Sequence, residues 1–78
     1  MAPQHLSAPV RQAQILDAAH RLFLAKGYDA TTIEDILDAV GIAKGTLYHH
    51  FPGKESILDA IVVRASDAIA ERAARAAS

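Results

Sequence analysis

Hydrophobic residues recur at three- and four-residue spacing along most of the chain, which is the pattern of helices with one buried face. Three stretches show it, at residues 10–26, 31–40 and 54–77. A shorter apolar pair, Leu47 and Phe51, predicts a further helix between the last two stretches. The sequence therefore predicts an all-α chain of four helices.

The first predicted helix covers residues 10–26 and ends at Gly27. Residues 1–9 mix proline with alanine and polar residues without a period, so they predict a mobile arm. Such an arm is either a disordered leader or a segment that enters a DNA minor groove, and we favour the leader because His5 is its only potential cation. Arg11 is equally compatible with a phosphate contact and with a solvated side chain.

The second and third predicted helices surround a sharp turn. Thr31 followed by Glu34 has the spacing of a capping box, which satisfies free amide groups at a helix N-terminus and predicts a start at Thr31. Gly41 follows the last periodic residue and can adopt the left-handed conformation that closes a helix. The next helix is predicted for residues 43–51. Two short helices joined in this way are typical of a helix-turn-helix that enters a DNA groove.

The third predicted helix has only two apolar anchors, so most of its residues face outward. The outward set combines hydrogen-bond donors, an aromatic ring and a glycine: Lys44, Gly45, Thr46, Tyr48, His49 and His50. No acidic residue occurs between Asp38 and Glu55, which predicts a locally cationic surface. Such a surface suits the major groove of DNA.

Three residues of this region have two interpretations each. Gly45 destabilises a helix by about 1 kcal/mol relative to alanine, so it indicates close approach of DNA or of another helix, and we favour DNA. Tyr48 either completes the core or contacts a phosphate or a thymine methyl group, and its cationic neighbours favour DNA. Lys54 opposes the dipole at the start of the fourth helix, a conflict that a bound phosphate would remove.

Composition restricts the class of function. With 78 residues and a formal net charge of −1, the chain is one small domain in which DNA binding must come from a local patch. It has no cysteine, no HExxH sequence and no nucleophile arrangement, and His49 and His50 diverge around the helix axis. We expect no enzyme activity, no metal and no cofactor. Without an apolar span or a signal pattern, we expect a cytoplasmic protein with no membrane partner.

The stretch TTIEDILDAVGIAKGTLYHHFPGKESIL resembles the signature of the tetracycline-repressor family of bacterial transcription regulators. The resemblance extends upstream through ILDAAHRLFLAKGYDATT and covers residues 15–58. It implies a three-helix DNA-binding bundle, with the helix-turn-helix in helices two and three, plus a fourth connecting helix. It also implies that the third helix reads the major groove and that the protein acts as a homodimer, as a repressor, on a palindromic double-stranded DNA operator.

The resemblance also implies roles for single residues. Gly45 and Thr46 match family positions near base edges. Positions that touch phosphates match Thr31 or Thr32, Lys44, Tyr48, His50 and Lys54, and we include His49 among the expected DNA-binding residues. The sequence departs from the family at Ala43 and Gly53, where the family often has a hydroxyl residue. Ala43 can neither cap its helix through a side chain nor contact a phosphate.

The expected organisation is an arm at residues 1–9, a DNA-binding domain at 10–53 and a connecting helix at 54–78. That helix would lead toward a domain for dimerisation and for a small-molecule effector, which is absent from this chain, so we interpret the chain as a fragment. The alternative is a helical protein-interaction module, in which the apolar face from Ile57 to Ile69 docks a partner helix and the turn does not bind DNA. Salt dependence separates the two, because phosphate contacts weaken steeply with salt and apolar docking does not.

Overall fold

The structure, a computed structural model, describes residues 7–77 and contains four α-helices in that range. They are α1 (Ala8–Lys26), α2 (Ile33–Val40), α3 (Lys44–His50) and α4 (Lys54–Ala77). The predicted all-α fold is confirmed, with α2 and α3 forming the helix-turn-helix. None of the helices between residues 7 and 77 is long and apolar enough to cross a membrane.

Helix α1 begins two residues earlier than predicted because Ser7 caps it. The Ser7 hydroxyl accepts a hydrogen bond from the Val10 amide at 3.4 Å, and Pro9 lies in the first turn, where amide groups have no partner within the helix. Residues 7–9 of the predicted arm therefore belong to the start of α1. The rest of that arm, residues 1–6, lies outside the described residues.

Helix α2 is capped one residue later than predicted. The Asp35 amide donates to the Thr32 hydroxyl and the Thr32 amide donates to the Asp35 carboxylate, both at 3.0 Å. This reciprocal capping box uses Thr32 and Asp35 in place of the predicted Thr31 and Glu34. Thr31 is fully buried instead, and its hydroxyl donates to the Gly27 carbonyl at 2.7 Å. The Thr31 side chain thus closes the turn between α1 and α2.

The turn between α2 and α3 depends on Gly41, as predicted. Gly41 has φ 81° and ψ 39°, the left-handed conformation, and its amide donates to the Leu37 carbonyl at 2.7 Å. The Ile42 amide donates to the same carbonyl at 3.3 Å. Ala43 then starts α3 without a side-chain cap. The chain reverses within three residues, which sets the position of α3 relative to α2.

The core forms where all four helices meet. Its members are buried apolar residues from every helix: Ile15, Leu16, Ala19, Ile36, Leu47, Phe51, Ile57 and Ile61. The core continues past the domain boundary predicted at residue 53, since Ile57 and Ile61 come from α4. Beyond Ile61 the same helix is open to solvent, with Val62 55% and Ile69 68% exposed. The first two turns of α4 therefore belong to the helix-turn-helix unit.

Ion pairs join α1 to α2 and to α4 around this core. Lys26 at the end of α1 lies 2.9 Å from Asp35 in the first turn of α2, and Arg64 of α4 lies 2.9 Å from Asp17 of α1. Hydrogen bonds from the Thr32 amide and the Lys26 ammonium lower the pKa of Asp35 from 3.8 to about 2. Asp35 thus caps α2 and fixes α1 against it in its ionised form.

We expect the Asp35 carboxylate to stabilise the fold at neutral pH and to lose that contribution in acid. Its pKa is lower in the folded chain than its ordinary value of 3.8, so the unfolded state takes up the proton first as the pH falls. The stabilisation is complete above 3.8 and disappears as the pH drops toward about 2. The measurement is the thermal midpoint of the wild type and of Asp35→Asn across this range.

The difference between the two midpoints should be constant near neutral pH and shrink steadily in acid. Asp38→Asn is the matched control, since it removes an exposed carboxylate from the same helix. A midpoint difference that does not change with pH would show that the Asp35 contacts do not depend on its charge.

Candidate nucleic-acid interface

Helix α3 is attached to the fold by two side chains and presents the rest of its surface. Leu47 is fully buried and Phe51 nearly so, while the residues predicted to face outward are exposed: Lys44, Gly45, Thr46, Tyr48 and His49. Tyr48 keeps 44% of its surface in contact with solvent, so the interpretation in which it completes the core is wrong. An exposed aromatic ring beside a lysine and two histidines is free to contact a ligand.

His50 lies at the edge of this face rather than on it. It is half-buried, and its Nδ1 atom is 3.5 Å from Nε2 of Gln12 in α1. Its ring meets the His49 ring edge to face, with centroids 5.2 Å apart. Gln12, 38 residues away in the chain, was not predicted as part of this region because no local pattern links it to α3. The N-terminal half of α1 therefore borders the exposed face.

Gly45 has no role in packing. Beyond its chain neighbours and the backbone of its own helix, no atom lies within 4 Å of the position that a Cβ would occupy there. Another helix therefore does not approach Gly45 closely, and that alternative for the glycine is wrong. The bare backbone instead opens onto solvent in the middle of the exposed face.

Lys44 is paired with an acidic residue that the sequence pattern did not place near it. Its Nζ atom lies 3.0 Å from Oε2 of Glu34 in α2, and both side chains remain more than half exposed. The hydrogen bond and charge of Glu34 raise the pKa of Lys44, and Lys44 lowers the pKa of Glu34. The stretch between Asp38 and Glu55 has no acidic residue of its own, but the fold supplies one. The surface is less cationic than predicted.

The burial of Thr31 contradicts its predicted contact with a phosphate. The residue has no exposed surface, and its hydroxyl already donates to a backbone carbonyl. Its neighbour Thr32 is exposed at the N-terminus of α2. Of the two threonines expected at a phosphate, only Thr32 is accessible, and its contact stays a prediction.

Lys54 has a structural role that accounts for its position. Its ammonium group donates to the Tyr28 carbonyl at 2.8 Å and to the Thr31 carbonyl at 3.0 Å, and it lies 4.3 Å from the centre of the Tyr28 ring. Two of its three protons are therefore used within the fold. These carbonyl oxygens offset the unfavourable dipole of α4, so no phosphate is needed to explain the residue. Lys54 joins the start of α4 to the turn before α2.

In the part of the chain that the structure describes, no three histidine, aspartate or glutamate side chains converge as metal ligands would. Apart from the Glu34 carboxylate, the exposed side chains at the N-terminus of α2 and along α3 are hydrogen-bond donors, cations and an aromatic ring. Such groups bind phosphates and base edges.

Comparison with known proteins connects this surface to a family of regulators. Residues 15–61 match the profile described as bacterial regulatory proteins, tetR family. The chain is 52% identical over 52 residues to the HTH-type transcriptional repressor KstR2 of Rhodococcus jostii, which is 67% of this chain and 26% of that protein. It is 35% identical over 75 residues to the HTH-type transcriptional repressor Rv1474c of Mycobacterium tuberculosis, covering 96% of this chain and 39% of that protein.

A third relative is the biofilm operon icaADBC HTH-type negative transcriptional regulator IcaR of Staphylococcus aureus, 50% identical over 46 residues. That match covers 59% of this chain and 25% of the relative. No solved structure matches the chain. The chain thus spans well under half the length of these curated relatives, and the similarity concerns the helix-turn-helix region.

We expect replacement of Lys54 to destabilise the fold, because it leaves two partly buried carbonyl groups without their charged donor. Lys54→Met keeps the length of the side chain and should lower the free energy of unfolding by about 1–3 kcal/mol. For a domain of this size each kcal/mol shifts the thermal midpoint by roughly 4–8 °C. Thermal unfolding followed by circular dichroism measures the change.

Lys44→Met is the control for this comparison, since it removes a lysine whose ion pair is exposed and contributes no more than about 1 kcal/mol. Equal midpoints for the two variants would mean that the Lys54 contacts stabilise the fold no more than an exposed ion pair does.

Proposed function

This chain belongs to the tetR family of bacterial regulatory proteins, and we propose on that premise that α3 reads the major groove of a double-stranded DNA operator. The observation that carries the proposal is the exposed face of α3. Its residues are exposed and make few contacts within the fold, and Gly45 leaves the helix backbone accessible to a ligand. A seven-residue helix anchored by only two side chains is suited to insertion into a groove about 12 Å wide.

The residues on this face divide by chemistry into two roles. Gly45 and Thr46 contact base edges, because the Thr46 hydroxyl can donate or accept and its methyl group can meet a thymine methyl. The proposed phosphate contacts flank them: Thr32, Lys44, Tyr48, His49 and His50. Lys54 holds the turn before α2 through two backbone carbonyls and the Tyr28 ring, so its role toward this surface is one of positioning.

For the complete protein we propose a homodimer that represses transcription at a palindromic operator in the cytoplasm. The relatives reported above are named as transcriptional repressors or negative regulators, which supports repression over catalysis. Two copies of α3 would then enter successive major grooves, roughly 34–36 Å apart. The effector that controls such a protein would bind outside the residues described here.

A second candidate function rests on the outer half of α4. The predicted docking face began at Ile57, but Ile57 and Ile61 are buried in the core of this chain. Val62 and Ile69, seven residues apart on one side of the helix, are each more than half exposed and could dock another helix. A protein-interaction module of this kind would use α4 and would not need α3 to contact DNA.

One experiment tests the two functions together. The chain, fused to a dimerising helix, is used to select random duplex DNA at two salt concentrations, and the retained DNA is sequenced. We expect an inverted repeat to be enriched and binding to fall steeply as salt rises, because several phosphates are contacted. No retention at low salt would favour the interaction module.

Single substitutions assign the roles on α3. Tyr48→Ala should weaken binding to every sequence alike, whereas Thr46→Ala should change the preferred base at one position, with about 1–3 kcal/mol of discrimination lost there. Val62→Ala, which shortens an exposed apolar residue on α4, is the matched control and should leave DNA binding unchanged. If Thr46→Ala retains the same base preference, its assignment to a base edge is wrong.

A further inference from the structure

The ion pair between Glu34 and Lys44 crosses from α2 to the exposed face of α3. We propose that Glu34 competes with DNA phosphates for Lys44 and thereby limits the affinity of this surface for DNA of any sequence. The inference rests on the proposed function, because it takes Lys44 to be a phosphate contact. Glu34 thereby becomes part of the proposed surface, although it is negatively charged and the surface binds a polyanion.

The pair is not needed to hold α2 and α3 together. The buried side chains Ile36 and Leu47 join the two helices, and the turn at Gly41 fixes the angle between them. The charged atoms are 3.0 Å apart, but the two side chains are 57% and 65% exposed, and a pair in that environment contributes little to stability. Such a pair can open when a competitor for the lysine arrives.

Glu34 is held in this place by the start of its own helix. It lies in the first turn of α2, where the helix dipole favours an anion. The neighbouring Asp35 is already bound to the Thr32 amide and to Lys26, so it does not compete for Lys44. The carboxylate is therefore placed beside Lys44 in the free chain.

A phosphate that binds Lys44 must displace this carboxylate. Lys44 exchanges one anion for another, and Glu34 is left without its partner beside a polyanion. Every phosphate is alike, so the penalty does not depend on sequence. Glu34 should thus lower affinity for all duplexes while leaving the base preference set by Thr46 unchanged.

The test is fluorescence anisotropy of a labelled duplex of random sequence, titrated at low salt with the 78-residue chain and its variants. Glu34→Gln should bind about two- to fivefold more tightly than the wild type, as expected for release of an exposed ion pair. In the wild type, the Glu34 carboxylate takes up a salt cation when Lys44 leaves it for a phosphate, which offsets one of the cations released from DNA. Glu34→Gln removes this uptake, so the slope of log affinity against log salt should steepen by up to about one.

Glu71→Gln is the matched control, because it makes the same change in net charge 17 residues beyond the start of α4, roughly 25 Å along that helix. It should change affinity much less than Glu34→Gln does. Circular dichroism of each variant establishes that the helices are intact. Equal gains for the two variants would overturn the proposal, since net charge alone would explain them.

A double-variant cycle with Lys44→Gln identifies the mechanism. In the Lys44→Gln background, Glu34→Gln should give little or no gain in affinity, because there is no lysine left to release. A gain of the same size in both backgrounds would overturn the proposal, since the carboxylate would then repel DNA directly. A loss of affinity in Glu34→Gln would also overturn it and would indicate that Glu34 accepts a hydrogen bond from DNA.

The failure of this inference is distinguishable from failure of the proposed function. If Glu34→Gln and the wild type bind the duplex equally, the chain binds DNA and only the competition is absent. If none of the proteins binds at low salt, the proposed function itself fails, and the inference fails with it.

Discussion

A helix of seven residues does not form by itself in water, so α3 depends on the burial of Leu47 and Phe51 against the other helices. That dependence determines what the rest of α3 can do. With two residues facing inward and no side-chain cap at Ala43, the helix has little stability of its own, and all its other residues except the half-buried His50 are exposed to solvent. The face of α3 is exposed because only Leu47 and Phe51 are needed to hold the helix. Its position is fixed because those two side chains are part of the core.

The turn before α2 provides the second part of this support. Thr31 bonds back to α1, Lys54 bonds to two carbonyls of the same turn, and Asp35 joins the cap of α2 to Lys26. These contacts gather three helix ends at one place. Two residues that a resemblance to DNA-binding regulators would place at phosphates, Thr31 and Lys54, are thus engaged in the fold. The residues that remain accessible belong to α3 and to the exposed cap, Thr32.

The helices could be predicted because apolar spacing and glycine positions are local signals. The cap of α2 could not be placed to the residue, since the adjacent pairs Thr31 and Thr32, and Glu34 and Asp35, offer two capping boxes of equal spacing. Burial decides between them, because the box formed by Thr32 and Asp35 leaves Thr31 free to be buried in the core.

The contacts that change the site are long-range ones, and sequence spacing contains no signal for them. Lys54 bonds to a carbonyl 26 residues earlier, and Gln12 meets a histidine 38 residues later. Glu34 is exposed on α2, and its lysine partner belongs to another helix. A count of charges along the chain therefore overstated how cationic the surface is, because the fold brings an acid from α2 to the lysine of α3.

The open space above Gly45 has a consequence for how such a domain can diverge. A Cβ atom can be added there without contacting a side chain or another helix, and most residues would make α3 a better helix. The residue at this position can therefore change the exposed surface of α3 without a compensating change in the core. Variation at position 45 is thus separated from the packing that holds the four helices together.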